Sequence, residues 1–466
     1  MAGGQGRLTF RAFTIAVAAI IGTAGHAAAD TLLGALAQAY QVNPQLNSQR
    51  AIVRQIDEGV PRALSDYRPR VNATAKVGKD FTSQDTAVGP ALVSKDLYRT
   101  SPQSIGITAQ QTLFNGFQTA NRTREAESKV FAARATLRVI EQTVLLDAAT
   151  VYMDVLRDAT ILEVQRSNVR MLGETLGQAR GRFKLGEVTR TDVAQAEAQL
   201  AAGKSQMLGA DANLTTSKAT YRKVIGSEPG RLDPGLPVDR LSPRTLAAAI
   251  DAGITANPSV TAAMYGVDVA QLQVKISEGA LYPTVALLGN VQRAHDVTGL
   301  IPEQFYGSVL IGATIPLYQG GAEYSTIRQS KETLTQRRLD LATTRDQARA
   351  AVVQAWAQLQ ATQAQIQAAQ EQVRTAEVAL KGVRMEALLG LRTTFDVLNA
   401  QQVLVNARVN MATAQHDRCV SSYSLLSAVG RLSPQTLGLP TSIYDPMVHY
   451  QQVRDAWAGV RTPEGR

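Results

Sequence analysis

Few side chains of this protein could do covalent chemistry, and they do not form a recognisable catalytic set. The 466 residues include one cysteine, Cys419, and four histidines, His26, His295, His416 and His449. These residues are scattered, and no zinc-protease, phosphate-loop, nucleophile-elbow or dinucleotide-binding motif occurs. A single cysteine also excludes a disulfide framework and any multi-cysteine metal site. The sequence therefore predicts neither an enzyme nor a site for a metal or another cofactor.

A Thr-x-x-Asp pattern occurs twice, each time three residues after a glycine. Thr189 and Asp192 form the first copy, and Thr393 and Asp396 form the second. In this pattern the threonine hydroxyl caps the first turn of a helix, and the aspartate meets the positive end of the helix dipole. Both copies therefore predict the start of a helix, and helix capping alone is a sufficient interpretation of the residues.

Two long proline-free stretches, 103–228 and 317–433, surround these motifs. Apolar residues recur within them at three- and four-residue spacing, and many are alanine, which allows helices to approach closely. Each stretch predicts a helix that ends near Gly186 or Gly390 and is followed by a return helix. At ~1.5 Å per residue, the first helix of each pair would be roughly 100 Å long.

Before each long helix, short segments alternate between apolar and polar residues, as strands with two different faces do. Their apolar positions are Val71, Ala73, Ala75 and Val77; Ile105, Ile107 and Ala109; Val285, Leu287 and Val291; and Val309, Ile311, Ala313 and Ile315. We interpret the stretches between them, 82–99 and 296–304, as hairpin loops. Each half of the chain is therefore predicted to contain one β-hairpin.

The two halves match each other, which indicates a tandem duplication. Asn43-Pro44 corresponds to Asn257-Pro258 at an offset of 214, and the two turn motifs correspond at an offset of 204. We expect the following organisation: a signal peptide at 1–29; a first structural repeat at 30–241, with a β-hairpin at 70–115 and a helical hairpin at 117–226; a second repeat at 242–432, with a β-hairpin at 284–316 and a helical hairpin at 320–430; and a C-terminal tail at 433–466.

The first 29 residues have the pattern of a secretory signal peptide. Arg7 and Arg11 precede an apolar stretch of about 14 residues, which is too short to span a membrane. Cleavage is predicted between Ala29 and Asp30; an uncleaved anchor is the alternative. The residue directly after the cleavage site is Asp30 and not a cysteine, so the mature terminus is not expected to carry a thioether-linked lipid.

Charge and composition exclude two further classes. The net charge of +9 comes from 48 basic residues spread evenly along the chain, and aromatic residues make up only 5% of it. This pattern does not indicate nucleic-acid binding. Charged residues amount to 19% and the mean hydropathy is −0.10, which argues against a polytopic helical membrane protein.

Four strands per chain are too few for a membrane barrel. A spanning barrel needs at least about eight, because unpaired strand edges cannot face lipid. If the hairpins cross a bilayer, several chains must contribute them, and three chains would give twelve strands. Two alternatives remain open: a small soluble sheet packed on the helices, and a periplasmic coiled-coil adaptor of a transport complex that has no pore of its own.

The duplicated Asn-Pro motifs, the sequence Leu317-Tyr318-Gln319-Gly320-Gly321 and the segment from Gly390 to Ala400 together resemble the TolC family of trimeric outer-membrane exit ducts. The resemblance covers essentially the whole mature chain. It implies a mixed α and β membrane fold in which a homotrimer forms a twelve-stranded outer-membrane β-barrel, continued by a long α-helical periplasmic barrel.

The resemblance also implies a passive role in type I secretion and multidrug efflux, with proteins or small molecules as cargo. The expected partners are a periplasmic adaptor (membrane fusion) protein, an inner-membrane ABC or proton-driven transporter, and outer-membrane lipid, with no nucleic acid. The tail from Tyr444 to Trp457 is similar to that of the members that serve type I protein secretion.

In the same family the two turns form the constriction of the tunnel. Carried over, Asp396 projects into the lumen as an acidic ring, and Arg392 ties its turn to the neighbouring turn at Thr191 and Asp192. A second acidic ring of the family is replaced here by Asn399, so we expect less charge in the lumen. A tyrosine partner of the first turn corresponds to Ala387, which implies a looser latch.

The remaining residues of interest are interpreted structurally. Gly116, Gly320 and Gly321 lie where strand passes into helix and supply backbone freedom there. Trp356 is expected to pack within the second long helix, and Cys419 to be a buried or lumen-side structural thiol. His416, beside Asp417, is expected to be solvated.

Overall fold

The computed structural model describes residues 31–87, 93–298 and 301–463. The predicted signal peptide and its cleavage site at Ala29 and Asp30 lie outside these residues. In the first half the elements are α1 (Leu32–Val42), α2 (Pro44–Asp57), α3 (Gly59–Leu64), β1 (Arg70–Val77), β2 (Asp80–Ala87), β3 (Val93–Thr100), β4 (Gln103–Asn115), α4 (Gln118–Lys184) and α5 (Arg190–Ile225). In the second half and tail they are α6 (Leu246–Thr255), α7 (Pro258–Gly279), β5 (Thr284–Thr298), β6 (Ile301–Thr314), α8 (Ala322–Leu388), α9 (Thr394–Ala428), α10 (Pro434–Leu437) and α11 (Pro446–Val453).

The Asn-Pro motifs are helix starts. Asn43 caps α2 by accepting hydrogen bonds from the backbone N–H groups of residues 45 and 46, and Asn257 caps α7 in the same way through Ser259. Each proline occupies the first helical position, where its missing N–H costs nothing and its fixed φ angle suits a helix. The motif therefore divides the helical region before each β-hairpin into separate helices.

Four strands form one antiparallel sheet in the order β1-β4-β5-β6. The register places like residues in rows across it. The rows of one face are Val71, Ala109, Gly289 and Val309; Ala73, Ile107, Val291 and Gly307; and Ala75, Ile105, Arg293 and Phe305. Rows of the other face are Asn72, Thr108, Asn290 and Ser308; and Thr74, Gly106, Gln292 and Tyr306. The sheet thus has a mainly apolar and a mainly polar face.

The predicted hairpin loops are wrong in extent. Within 82–99, the described residues 82–87 and 93–99 are strand, because β2 and β3 pair from Asp80–Thr100 to Ala87–Val93 as a separate two-stranded ribbon. The predicted loop at 296–304 is also mostly strand, since pairing of β5 with β6 extends to Thr298 and Ile301. Backbone pairing needs no apolar alternation, so strands with mixed faces were not visible in the residue pattern.

The two long helices have equal length. Both α4 and α8 contain 67 residues, and both their first and last residues differ by 204 positions. Two residues in the left-handed region precede each helix: Gly116 and Phe117, with φ of 63° and 62°, before α4, and Gly320 and Gly321, with φ of 72° and 84°, before α8. Glycine adopts this conformation at little cost, which agrees with the predicted bend at Gly116 and Gly320. Within the described residues, no helix is long and apolar enough to cross a membrane.

The helices lie side by side in an order that continues the order of the strands. Near the sheet, α4 packs against α2 and α3 on one side and against α7 on the other, and α7 in turn packs against α8. Farther from the sheet the order is α5, α4, α9 and α8. One chain therefore forms four parallel columns, of which the first ends in β1 and the fourth in β6.

The main core lies where the middle of α4 meets α1, the ends of α5 and α9, and the tail. Its largest fully buried side chains include Tyr40, Tyr152, Tyr221, Tyr423, Leu36, Leu145 and Leu426. Cys419 is buried in this core, as predicted, and burial raises the pKa of its thiol to about 12. Trp356 packs against a smaller cluster of α6, α8 and α9, which confirms its structural role.

His416 is buried, so the prediction that it is solvated is wrong. Its Nε2 lies 3.1 Å from Asp154 of α4, and its Nδ1 lies 2.8 Å from Asp417 of α9. Burial alone would lower the pKa of His416, but these carboxylates outweigh it and raise the pKa above its ordinary value. The sequence showed the adjacent Asp417 but not the second carboxylate from another helix.

Candidate functional site: the two helical-hairpin turns

Both Thr-x-x-Asp motifs form complete capping boxes, as predicted. In the first turn, the backbone N–H and the hydroxyl of Thr189 donate to Asp192 Oδ2 at 2.8 and 2.7 Å, and the Asp192 N–H donates to Thr189 Oγ1 at 3.3 Å. The bonds between Thr393 and Asp396 repeat this pattern at 2.9, 2.8 and 3.2 Å. The two turns are therefore nearly identical in backbone and in capping.

The capping bonds also favour the charged form of the two aspartates. Hydrogen bonds from the backbone and hydroxyl of Thr393 hold the pKa of Asp396 below its ordinary value, and those from Thr189 do the same for Asp192. Both groups accept these bonds in their charged form, which favours ionisation. Each turn thus presents a fixed negative charge at neutral pH.

An ion pair spans each turn, and the order of the basic and the acidic residue along the chain is reversed between the two turns. In the first, Arg182 precedes the turn and its Nε lies 3.0 Å from Glu187, which follows it. In the second, Glu386 precedes the turn and lies 2.9 Å from the Nε of Arg392, which follows it. Arg182 and Glu386 correspond at the offset of 204, so the duplicated position carries opposite charges.

The structure does not bring Arg392 to the partners expected from the family resemblance. Among the described residues, its hydrogen-bond partner is Glu386 of its own turn, and it bonds neither Thr191 nor Asp192. At the free end of the hairpins Arg392 and Thr191 are exposed, and Asp192 is half-buried. Sequence reasoning missed Glu386; the signal available was the reversed charge between matched positions of the two repeats.

A cleft of about 240 Å³ lies beside the turns, between the ends of α4 and α8 and the start of α9. Its lining includes Ala387 and Arg384 from α8 and Met171 and Arg182 from α4. Arg384 reaches across the cleft, with Nη2 3.4 Å from the sulfur of Met171. Ala387 is the position at which the family resemblance implied a missing tyrosine, and its small side chain fills little of the cleft. Asn399 lies exposed on α9, one helical turn after Asp396.

Above the turns, the two hairpins are joined by buried polar contacts between α4 and α9. The side-chain amide of Gln401 donates to Asn168 Oδ1 at 3.0 Å, and both residues are almost completely buried. A buried amide pair fixes the register of neighbouring helices, because sliding would leave both groups without partners. The sequence pattern of apolar seams did not reveal these contacts.

Comparison with known proteins agrees with this architecture. The model of the outer membrane efflux protein family matches residues 35–227 and 250–431. The outer membrane efflux protein BepC of Brucella suis is 39% identical over 445 residues, which cover 95% of each chain. The outer membrane protein TolC of Vibrio cholerae is 27% identical and covers 90% of this chain and 95% of its own.

The fold is also similar to solved outer-membrane channels. The crystal structure of the Campylobacter jejuni CmeC outer membrane channel superposes with a TM-score of 0.77, at 15% sequence identity, over 91% of this chain and 89% of CmeC. The family match over both halves and the close relationship to BepC establish that this chain belongs to the outer membrane efflux protein family.

Proposed function

We propose that three copies of this chain form an exit duct of the outer membrane. In this proposal, twelve strands close a β-barrel, and the helices continue it as a tunnel into the periplasm. The supporting observation is the amphipathic four-stranded sheet, whose apolar side chains, such as Ile107, Val291 and Val309, are exposed. A sheet with one apolar face and two open edges satisfies its backbone in lipid only when the edges pair with other copies.

The helical columns support the same assembly. Leu339 and Val353 lie on α8 and are 65% and 42% exposed, whereas the matching residues of α4, Ala135 and Ala149, are buried. α4 packs one of its faces against α7 and α9. The corresponding face of α8 is therefore exposed in the single chain. In the proposed trimer this face of α8 packs against the first column of the next chain, as β6 pairs with its β1.

The duct itself is passive in this proposal, and energy comes from its partners. An inner-membrane ABC or proton-driven transporter and a periplasmic adaptor would deliver proteins or small molecules to the helical end. The proposed organisation is two tandem repeats, 30–241 and 242–432, and a tail, 433–466, after removal of a signal peptide, 1–29. The chain offers no catalytic role in this process.

The turns are proposed to form the gate. Three copies of Asp396 would meet around the trimer axis as a single acidic ring, with Asn399 contributing no second charge. Arg392 is held by Glu386 in the single chain; in the trimer it would exchange or share this partner with Thr191 and Asp192 of an adjacent turn. Such exposed contacts are individually weak, so a docked partner could release them.

A reconstitution experiment tests the proposed duct. Detergent-solubilised protein should have the mass of three mature chains and should conduct ions in planar bilayers. A monodisperse monomer that does not conduct would contradict it. The alternative, an adaptor without a pore, predicts release from membranes by carbonate or urea, whereas the proposed barrel predicts retention.

A further inference from the structure

Exposed aromatic rings mark one level of the molecule, at the junction of sheet and helices. Tyr67 precedes β1, Phe117 follows β4, Tyr282 precedes β5 and Tyr318 follows β6; all four are exposed. Each of the four columns therefore carries one such ring where its strand ends. In β-barrel membrane proteins, aromatic girdles of this kind lie at the boundary between lipid and water.

The C-terminal tail reaches the same level. The guanidinium of Arg68, two residues before β1, lies over the ring of Trp457 at 4.5 Å from its centroid. The Nη1 of Arg68 also donates to the carbonyl oxygen of Ala456 at 2.7 Å. These contacts fix Trp457 beside the start of the sheet, yet 73% of its surface remains exposed. The nearby Val460 is also fully exposed.

The positions of charged contacts show on which side of the wall the tail lies. Arg70 shares the register of Asn72 and Thr74 on the polar face of the sheet, and Asp66 binds both Arg70 and Arg122. Arg122 therefore lies on the polar-face side of α4.

The tail contacts a different side of α4. Arg454 lies 3.8 Å from Glu127, and Arg134 contacts Met447 and the ring of Tyr450. At ~100° per residue, Glu127 and Arg134 lie about 120–140° around the helix from Arg122. The tail residues 447–454 thus pack on a face of α4 that points away from the polar-face side, toward the surface that faces lipid in the proposed barrel.

We propose that the segment 454–460 seats in the headgroup layer of the outer membrane, with Trp457 as its anchor. The ring of Trp457 provides an apolar surface and an indole N–H donor, which suits the boundary between acyl chains and headgroups. Arg68 and Arg454 add positive charge for lipid phosphates. The inference rests on the proposed barrel, because only that assembly places lipid at this surface.

The chain contains two tryptophans, so fluorescence can test the inference. Protein with Trp356→Phe keeps Trp457 as its single emitter and is reconstituted in phosphatidylethanolamine–phosphatidylglycerol vesicles brominated near the headgroup. The emission should fall by roughly half or more against unbrominated vesicles, since the indole lies at the membrane boundary. Protein with Trp457→Phe is the control: Trp356 is 34 residues into α8, roughly 50 Å from the sheet at ~1.5 Å per residue, and should not be quenched.

Conductance of the same vesicles separates this inference from the proposed function. Conducting vesicles in which aqueous acrylamide, but not brominated lipid, quenches Trp457 would overturn the tail anchor and leave the duct intact. Protein that neither inserts nor conducts would overturn the duct and the anchor together. If Trp356→Phe lowers the yield, the difference in quenching between the unmodified protein and Trp457→Phe gives the same information.

Discussion

The long helices α4 and α8 have the same length and correspond at a constant offset of 204, but their surroundings differ. In α4, 22 of 67 residues are buried, against 10 of 67 in α8. The return helices show the reverse, with five buried residues in α5 and 14 in α9. One repeat therefore supplies an interior long helix with an edge return helix, and the other supplies an edge long helix with an interior return helix.

This difference identifies the surfaces of the single chain that a neighbouring copy would cover. A duplicated sequence could bury the same faces in both halves if the chain were a closed unit. Instead α5 and α8 lie at opposite edges, in line with the open edges of β1 and β6. The asymmetry is what a segment of a ring requires, because each edge is completed by the other edge of a neighbouring copy.

The largest effect is expected at the bare face of α8. Replacing both Leu339→Arg and Val353→Arg should abolish the trimer, because buried unpaired charges would replace apolar contacts between chains. Size-exclusion chromatography with light scattering should then find single chains in detergent. Gln354→Arg is the matched control, being exposed on the same helix but about 100° away from Val353. A stable trimer of the double variant would mean that this face borders solvent.

The next effect concerns the reversed ion pairs of the two turns. If Arg392 latches the gate, Arg392→Ser should raise the single-channel conductance several-fold, whereas Arg182→Ser in the first turn should change it little. Trimer yield should stay constant, because neither residue contacts the sheet.

Glu386→Gln distinguishes two forms of this latch. If Arg392 closes the gate through Thr191 and Asp192 of an adjacent turn, loss of Glu386 frees it for them and the leak should fall. If the pair between Arg392 and Glu386 itself stiffens the turn, both substitutions should raise the leak. Equal conductance of all these variants would leave the two turns equivalent and remove the latch.

Much of the fold could be predicted from the sequence because its signals are local and repeated. A few neighbouring residues determine each of these signals: the apolar spacing in the proline-free stretches, the Asn-Pro helix starts, the glycines with positive φ and the two capping boxes. The constant offset of 204 between the long helices follows from their rigidity. The position of the turns at the free end of the hairpins followed directly from these elements.

The contacts that sequence analysis missed depend on distant residues. His416 meets Asp154 across two helices, Gln401 meets Asn168, and the tail reaches Arg68 from almost 400 positions away. Nothing in the spacing of such residues reports their proximity, since the packing of α4 against α9 creates the first two contacts and the path of the tail creates the third. The ribbon of β2 and β3 was missed for another reason: its pairing depends on backbone groups, which every residue supplies.

A smaller effect, on the pH dependence of stability, should distinguish the interior seam, which is the contact between α4 and α9, from the edge helices α5 and α8. His416 joins α9 to Asp154 of α4, and the position matching Asp154 in α8 is the exposed Gln358. Because the pKa of His416 is raised on folding, its charged form stabilises the fold fully below its ordinary pKa of 6.5, and this stabilisation is lost as the pH rises through the folded value. His416→Gln should therefore cost about 1–3 kcal/mol at pH 5.5 and less at pH 9.

Thermal unfolding followed by circular dichroism at the two pH values measures this difference. The exposed His295→Gln in β5 is the control and should show no such dependence on pH. An equal loss of stability at both pH values would show that His416 acts through packing, so that the interior seam would not depend on its charge.

The smallest effect is expected for the charge of the gate. The capping bonds keep Asp396 ionised, and three copies around an axis would lower the energy of a permeating cation. Asp396→Asn should therefore reduce cation preference, measured as the reversal potential in a salt gradient, while the side-chain oxygen of Asn can still accept the bond from the Thr393 N–H. Asp192→Asn changes the matching carboxylate of the first turn and should alter selectivity less. The change should be modest, because Asn399 leaves only one ring of charge. If both variants shift the reversal potential equally, the two turns contribute alike to the lumen; if neither does, Asp396 acts only in the capping box.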